Sequence, residues 1–567
     1  MAVRGAGTLG LSEFLALLEE RLDRLAPGEL RAVLLAHAQR LPTQDRQAFL
    51  GIFPAGPDAV ARQRRAPDAD HACRDLLADI DSFAAQLSDG EYFEGWGWDD
   101  DLQDERAWGN ESWVEEMDDL FARAADLFLA GNMTGAREVY GRLLEVFSLD
   151  EEVGTFSGPS AAAEMVSTDV GEAVARYLRA LYETTAPDAR AAEVCQRYAD
   201  LYYLAPSLSL HAIDGTRREK LPELDLFLPA WIDVLIERTD GIWVLAARQR
   251  LLTEAAVWRS GIAGLAEVAR RSGPHQLTAY LDWIDALTEA GRPAEAAAAA
   301  REGLAVPGLT AEQAAEVADR LAAAVLHQGD RSAALEARRQ AWRAAPTRQR
   351  LLAMVTAAQA VGALSETLTA EADCPATAPD RLTAELLLLA DRADEAADLL
   401  AKAPALGWSR ADHPGPVVLP YLMIAAAGRP VPPRTTVVGR LFAAIDAIGG
   451  QPHDPASQQI SLTALLAERL STQDTPHRRQ RWLALVQATV EQRVEAVVTT
   501  KHRGAYARVA ELAAACAETL ALRQDTTAGE AFLAQVRARY PRHVAFRREL
   551  DTAIRASSLL PAPPRRR

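Results

Sequence analysis

At 567 residues the chain is longer than one hydrophobic core usually organises, so several domains or an elongated repeat are expected. Its 49% hydrophobic and 25% charged residues are those of an ordinary soluble protein, and richness in Ala and Leu favours helix. The formal net charge of −18 argues against a protein that coats nucleic acid, because phosphate binding needs a positive surface.

The N-terminus, MAVRGAGTLGLSEFLALLEE, lacks the continuous apolar core of a signal peptide, and no segment is long and uncharged enough for a membrane span. A cytoplasmic protein without a membrane partner is therefore expected. Only Lys220, Lys402 and Lys501 are lysines, which reads as a GC-rich bacterial genome. Cys73, Cys195, Cys374 and Cys516 lie far apart, form neither a disulfide framework nor a CxxC site, and are expected as small buried hydrophobes.

Phe14, Leu15, Leu18, Leu22 and Leu25, then Leu30, Val33, Leu34 and His37 beyond Pro27-Gly28, recur at three- and four-residue steps. They predict an N-terminal helical bundle over residues 1–53, with His37 a core or rim histidine. Residues 54–111 are expected to hold a Pro-rich linker, one amphipathic helix (Leu76, Leu77, Ile80, Phe83, Leu87) and an acidic stretch.

That stretch is the most biased in the chain: residues 89–119 contain thirteen Asp or Glu against Arg106 alone, with Trp96, Trp98, Trp108 and Trp113. Part of the acidity belongs to a helix start. Ser112-Trp-Val-Glu115 has the form of a capping box, and Glu116, Asp118 and Asp119 then sit where the helix dipole favours negative charge. Asp99, Asp101 and Asp104 supply oxygen ligands at close spacing, but Asp104 stands where an EF-hand loop needs glycine and Asn110 where it needs glutamate, so they are weak metal candidates. Tyr92, Phe93, Trp96, Trp98 and Trp108 are the candidate partner-binding residues, since an acidic tail is normally poor in aromatics and such rings dominate binding hot spots.

From Ser112 a turn block recurs at Gly131–Ala136, Gly291–Ala296, Gly329–Ala334 and Asp391–Ala396: a residue suited to a left-handed helix end, then a small Ala five positions on. Intervals near 34 residues imply stacked helix pairs. At these residues the sequence resembles the tetratricopeptide repeat (TPR) family, best at Ala323, Gly329, Ala334, Ala341 and Pro346, and nearly as well at Ala124, Gly131, Ala136 and Tyr140. The resemblance covers roughly Ser112 to Pro404. It implies an all-α, TPR-like α-solenoid of paired antiparallel helices, placed here at 112–427, that binds other proteins.

Two insertions interrupt the array, Ser148–Val170 and Asp214–Asp225, and such loops commonly form binding surfaces. Pro404–Pro433 is expected as the junction to a C-terminal basic helical unit, 428–557, followed by a disordered basic tail, 558–567. From His477 onward seventeen Lys or Arg face eight acids. HRGAYARVAELAAACAETL and ARYPRHVAFRREL are similar to helical tails of some bacterial proteins that carry a SWIM-type zinc finger, but the CxC and CxH of the finger are missing, so no zinc site carries over.

None of the three lysines follows Gly in a Gly-Lys-Ser/Thr, which excludes a P-loop, no GxGxxG stands at a strand-helix turn, and HExxH and SxxK are absent. Ser157 in GTFSG lacks the nucleophile elbow, and His211 and His275 have no partner that spacing reveals. The expectation is a scaffold or adaptor with no catalytic residue and no cofactor, whose partner is another protein. Its acidic stretch, 89–111, would engage that partner or dock internally on the chain's own basic C-terminal region. Two alternatives stand beside it: a metal-dependent enzyme with its site at the acidic stretch, and a regulator that contacts nucleic acid through the basic C-terminus.

Overall fold

The computed structural model describes residues 11–40, 69–99, 104–109, 112–147, 159–238, 245–373, 378–428, 430–448, 461–470, 475–523 and 526–561. The chain divides into two compact units, Met1–Asp282 and Trp283–Arg567. Both are built from helices, with one two-stranded hairpin in the first.

One turn recurs in both units. At Gly90, Gly131, Gly291, Gly329, Gly362, Asp391 and Lys501 φ lies between +58° and +85°. At each, the residue's N–H donates to the carbonyl three positions back and the next N–H to the carbonyl five positions before it. These paired bonds close the end of the preceding helix on its own orphan carbonyls. At four of the turns a small residue follows five positions on and is buried: Ala136, Ala296 and Ala396 are 0% exposed and Ala334 4%. With a methyl group at the crossing, helices approach closely; a larger side chain there would overpack them. This local repetition makes the chain a helical-repeat protein.

In the first unit, the helix Ala69–Ser88 buries the face the sequence marks, Leu76, Ile80, Phe83 and Leu87. The next two helices, Ser112–Leu129 and Met133–Val146, lock through rings: Phe121 packs 6.1 Å from Phe147 and 6.4 Å from Tyr140, and Phe128 meets Tyr140 edge-on. The N-terminal helices Leu11–Asp23 and Pro27–Arg40 form where expected, yet Leu18 and Leu22 remain exposed, and the side chain of His37 lies outside the described residues.

The insertion Asp214–Asp225 is tied down. Arg179, 1% exposed on the helix Val170–Thr184, donates to the Asp214 carbonyl at 2.7 Å and to the Glu219 carbonyl. The Tyr182 hydroxyl reaches the Pro222 carbonyl at 2.6 Å. A guanidinium can stay buried here because carbonyl oxygens and Glu183 satisfy it. Of the other insertion, residues 148–158, with Ser157, lie outside the described residues.

The second unit holds a large hydrophobic cluster that runs from Leu335 to Leu560, and a small one of Ala315, Ala318 and Ala341. The Pro-rich segment expected as a junction carries the helix Gly415–Ala427, in which every residue but Pro416 is buried. An apolar helix of thirteen residues that is buried all round is a core element, too short for a bilayer. Among the described residues no helix is long and apolar enough to cross a membrane. Leu560, beyond the last helix Val544–Arg555, is buried in the same cluster, and the arginines of the tail lie outside the described residues.

Candidate functional site

The acidic aromatic stretch contains a β-hairpin that the helical reading of the sequence did not include. Phe93–Asp99 pairs antiparallel with Asp104–Gly109, in register Trp96 with Ala107, Trp98 with Glu105 and Gly95 with Trp108. The register shift between Phe93 and Gly95 places a bulge at Glu94. Of the metal candidates, Asp99 and Asp104 are opposite each other at the tip of the ladder, and Asp101 lies outside the described residues.

Tyr92, at the base of the hairpin, is 9% exposed and belongs to the fold. Its ring packs edge-on against Phe83, and its hydroxyl is 3.0 Å from Gln86 Oε1 and 2.9 Å from Glu116 Oε2. Burial, together with the Glu116 carboxylate, pushes its phenol up to about 12. The side chains of Phe93, Trp96, Trp98 and Trp108 lie outside the described residues.

The acids at the following helix have particular partners as well as a favourable dipole. The helix begins at Ser112, as the capping pattern predicts. Glu116 takes the Tyr92 hydroxyl, and Asp118 accepts from the Ser167 and Thr168 amides at 2.9 and 2.8 Å and from the Thr168 hydroxyl at 2.7 Å. Burial works to raise the Asp118 carboxyl, but the bonds from Thr168 and Ser167 outweigh it and hold the group below its ordinary range.

The two histidines considered for catalysis have structural surroundings. His211 stacks on Trp258 at 4.0 Å and shares Glu254 with the amides of Leu210 and His211, so that carboxylate caps the short helix Leu210–Asp214. His275 is 2% exposed, and burial lowers its basicity. Cys73, Cys195 and Cys516 are buried as expected, burial pushing the Cys516 thiol up; Cys374 lies outside the described residues. Among the described residues no group of three or more His, Cys, Asp or Glu could hold a metal ion.

A site that sequence reading missed lies in the second unit. An open cleft of about 660 Å³ is walled by Leu406, Gly407, Trp408 and Ser409 on one side, and by Arg493 and Val497 from the helix Pro476–Thr499. Lys501 to Ala505 and Arg508, where the helix Tyr506–Arg523 begins, complete it. No carboxylate is among the residues that line it.

Arg493 is the buried cation of its wall. It is 6% exposed, its guanidinium carbon is 4.2 Å from the centroid of the Trp408 ring, and it donates to the Ala405 carbonyl at 2.9 Å. Its Nε has no hydrogen-bond partner. Burial and the charge of Arg508 pull its basicity down to about 10.

Trp408 is held in turn by His413, 5.2 Å away between ring centroids, and by Gly415, where a Cβ would come within 2.8 Å of the indole. The Gly415 amide donates to His413 Nδ1 at 3.0 Å, which leaves Nε2 to donate to the Pro404 carbonyl at 2.9 Å. A smaller cavity of about 150 Å³ shares Trp408 and Arg493 with the cleft and has His413 in its own wall. The sequence signal was the run from Arg493 to Arg508, with five Lys, Arg or His residues and Glu495 its only acid.

No family model matches this chain, and no curated protein matches it. Among solved structures, a match described as a circular tandem repeat protein with novel repeat topology and enhanced subunit contact surfaces is 13% identical. That alignment covers 86% of this chain and 98% of the other, with a TM-score of 0.17.

Proposed function

We propose that this protein is a non-enzymatic interaction scaffold or adaptor, a TPR-like array whose partner is another protein and whose acidic aromatic hairpin takes part in recognition. The observation that carries the reading is the recurrence of one helix-ending turn, followed at four of its seven sites by a buried alanine. Such arrays offer long surfaces whose outward residues vary freely on a fixed frame. The hairpin adds a narrow ribbon with three tryptophans and a high density of carboxylates. Its complement is a basic groove with apolar pockets, where indole rings supply contact area and the acids speed encounter.

The test compares the intact chain with a Trp96→Ala/Trp98→Ala/Trp108→Ala variant of unchanged helical circular dichroism, each used as bait under native conditions. A stoichiometric protein partner kept by the first and lost by the second, with binding that weakens as salt rises, is the expected result. Identical partners for both would remove the hairpin from recognition, and no stoichiometric partner for either would remove the scaffold reading. Competition of a peptide of residues 89–111 with the partner would separate outside recognition from docking on the chain's own basic region.

A further inference from the structure

We infer that the cleft at Trp408 and Arg493 is a binding site for the phosphate group of a small organic phosphate. The first argument is charge. Arg493, Lys501, Arg503 and Arg508 bring four formal positive charges to one cleft with no carboxylate in its wall. A surface cluster of cations is ordinarily a solvated face, but Arg493 is almost fully withdrawn from water. A buried guanidinium without a counter-ion is unfavourable unless something supplies the missing charge. Its one carbonyl acceptor leaves the buried Nε unpartnered.

Backbone geometry adds to this. Among the described residues, five of the seven equivalent helix-ending turns have glycine and one aspartate at the left-handed position; Lys501 alone of the seven puts a long cationic side chain there, at φ +58°. A lysine in that conformation is strained by about 1 kcal/mol or more relative to glycine, so the turn alone does not account for the residue. Lys501, Arg503 and Arg508 also surround the start of the helix Tyr506–Arg523, whose dipole adds positive potential where the cations already gather.

The remaining wall is apolar. Leu406, Val497 and the partly exposed ring of Trp408 offer a surface for an organic group, and the volume falls in the range of about 300–1,000 Å³ usual for small-molecule sites. Four cations suit a doubly charged phosphate better than a single carboxylate, and the planar forks of three arginines suit its oxygens.

The experiment titrates the full-length protein by calorimetry with inorganic phosphate and with phenyl phosphate, at fixed ionic strength balanced with chloride. Saturable binding at one site per chain is expected, tighter for phenyl phosphate by several-fold. Arg493→Met should weaken it about tenfold or more, the equivalent of one charge-assisted hydrogen bond. Arg508→Ala, at an exposed position that does not endanger the core, should weaken it about threefold, as loss of an exposed charge does. Thermal unfolding confirms that each variant is folded. Absence of saturable binding by either probe, or unchanged affinity in both variants, overturns the site. Inorganic phosphate binding as tightly as phenyl phosphate overturns the assignment to an organic phosphate.

Discussion

Two arginine-rich regions of the second unit differ in one respect, and the difference separates structure from candidate function. Between residues 338 and 350 every arginine meets a carboxylate: Arg338 meets Asp319, Arg339 and Arg343 share Glu371, Arg348 takes Glu385, and Arg350 bridges Glu312 and Asp319. Glu371 and Glu385 are 0% exposed, so these pairs fasten one helix to another inside the core. Between residues 493 and 508 the cations line a cleft without any acid. Arginine content alone is uninformative; whether a neighbouring helix brings a carboxylate decides the role.

The largest effect should come from breaking the paired region. Glu371→Gln leaves Arg339 and Arg343 side by side without their shared carboxylate. Because both guanidinium groups are partly exposed, 23% and 44%, they can turn toward water, which places the loss below that of a fully buried pair, at about 2–3 kcal/mol. Urea unfolding of both proteins measures it. Arg493→Met is the counterpart: it removes a buried charge that has no partner ion and keeps most of the side-chain volume. Its unfolding free energy should stay within about 1 kcal/mol of the parent, or rise. A loss as large as that of Glu371→Gln would make Arg493 a structural residue and erase the distinction.

The turns sharpen the same comparison at smaller scale. Asp391→Gly and Lys501→Gly both relieve a left-handed residue, and each should stabilise by about 0.5 kcal/mol, the lysine change more because aspartate tolerates that conformation better. Only Lys501→Gly should also weaken binding of phenyl phosphate, measured on the same calorimeter. Equal binding in both variants would reduce Lys501 to a turn residue.

How much of this was legible follows from distance along the chain. The recurring turns could be read because glycine or Asp391 and the alanine five positions later are local neighbours, and the start of the helix at Ser112 was legible for the same reason. The same turn at Gly90 and Lys501 escaped notice since no alanine follows at the expected place. The hairpin escaped because glycines and acids interrupt the alternation that marks a strand, leaving Trp96 and Trp98 as its only clear trace. Glu371 and Glu385 reach their arginines, and Trp408 reaches Arg493, only through tertiary packing. No spacing rule relates them.

The smallest effect ties the cleft to pH. His413, 4% exposed behind Trp408, has its basicity lowered first by burial and then by the charges of Arg493 and Arg381, against the pull of the Pro404 carbonyl. Asp412 is the acid that opposes them. The His413 Nδ1 already accepts from the Gly415 amide, so a second proton would have to displace that bond. The unfolded chain takes up the proton near pH 6.5 and the folded chain only below that, so stability is full above about 6.5 and declines as pH falls toward the folded value. The slope from this group is at most about 1.4 kcal/mol per pH unit, and His275, lowered in the same direction, adds its own. In Arg493→Met one of the charges that keep His413 neutral is gone, its folded value moves back toward 6.5, and the acid slope between pH 7 and 5 should flatten. Urea unfolding at several pH values would measure this, with His413→Asn as the reference that removes the His413 contribution entirely. An unchanged slope in Arg493→Met would mean that the guanidinium is already neutralised by something outside the cleft wall, and the contrast between the two arginine regions would fall with it.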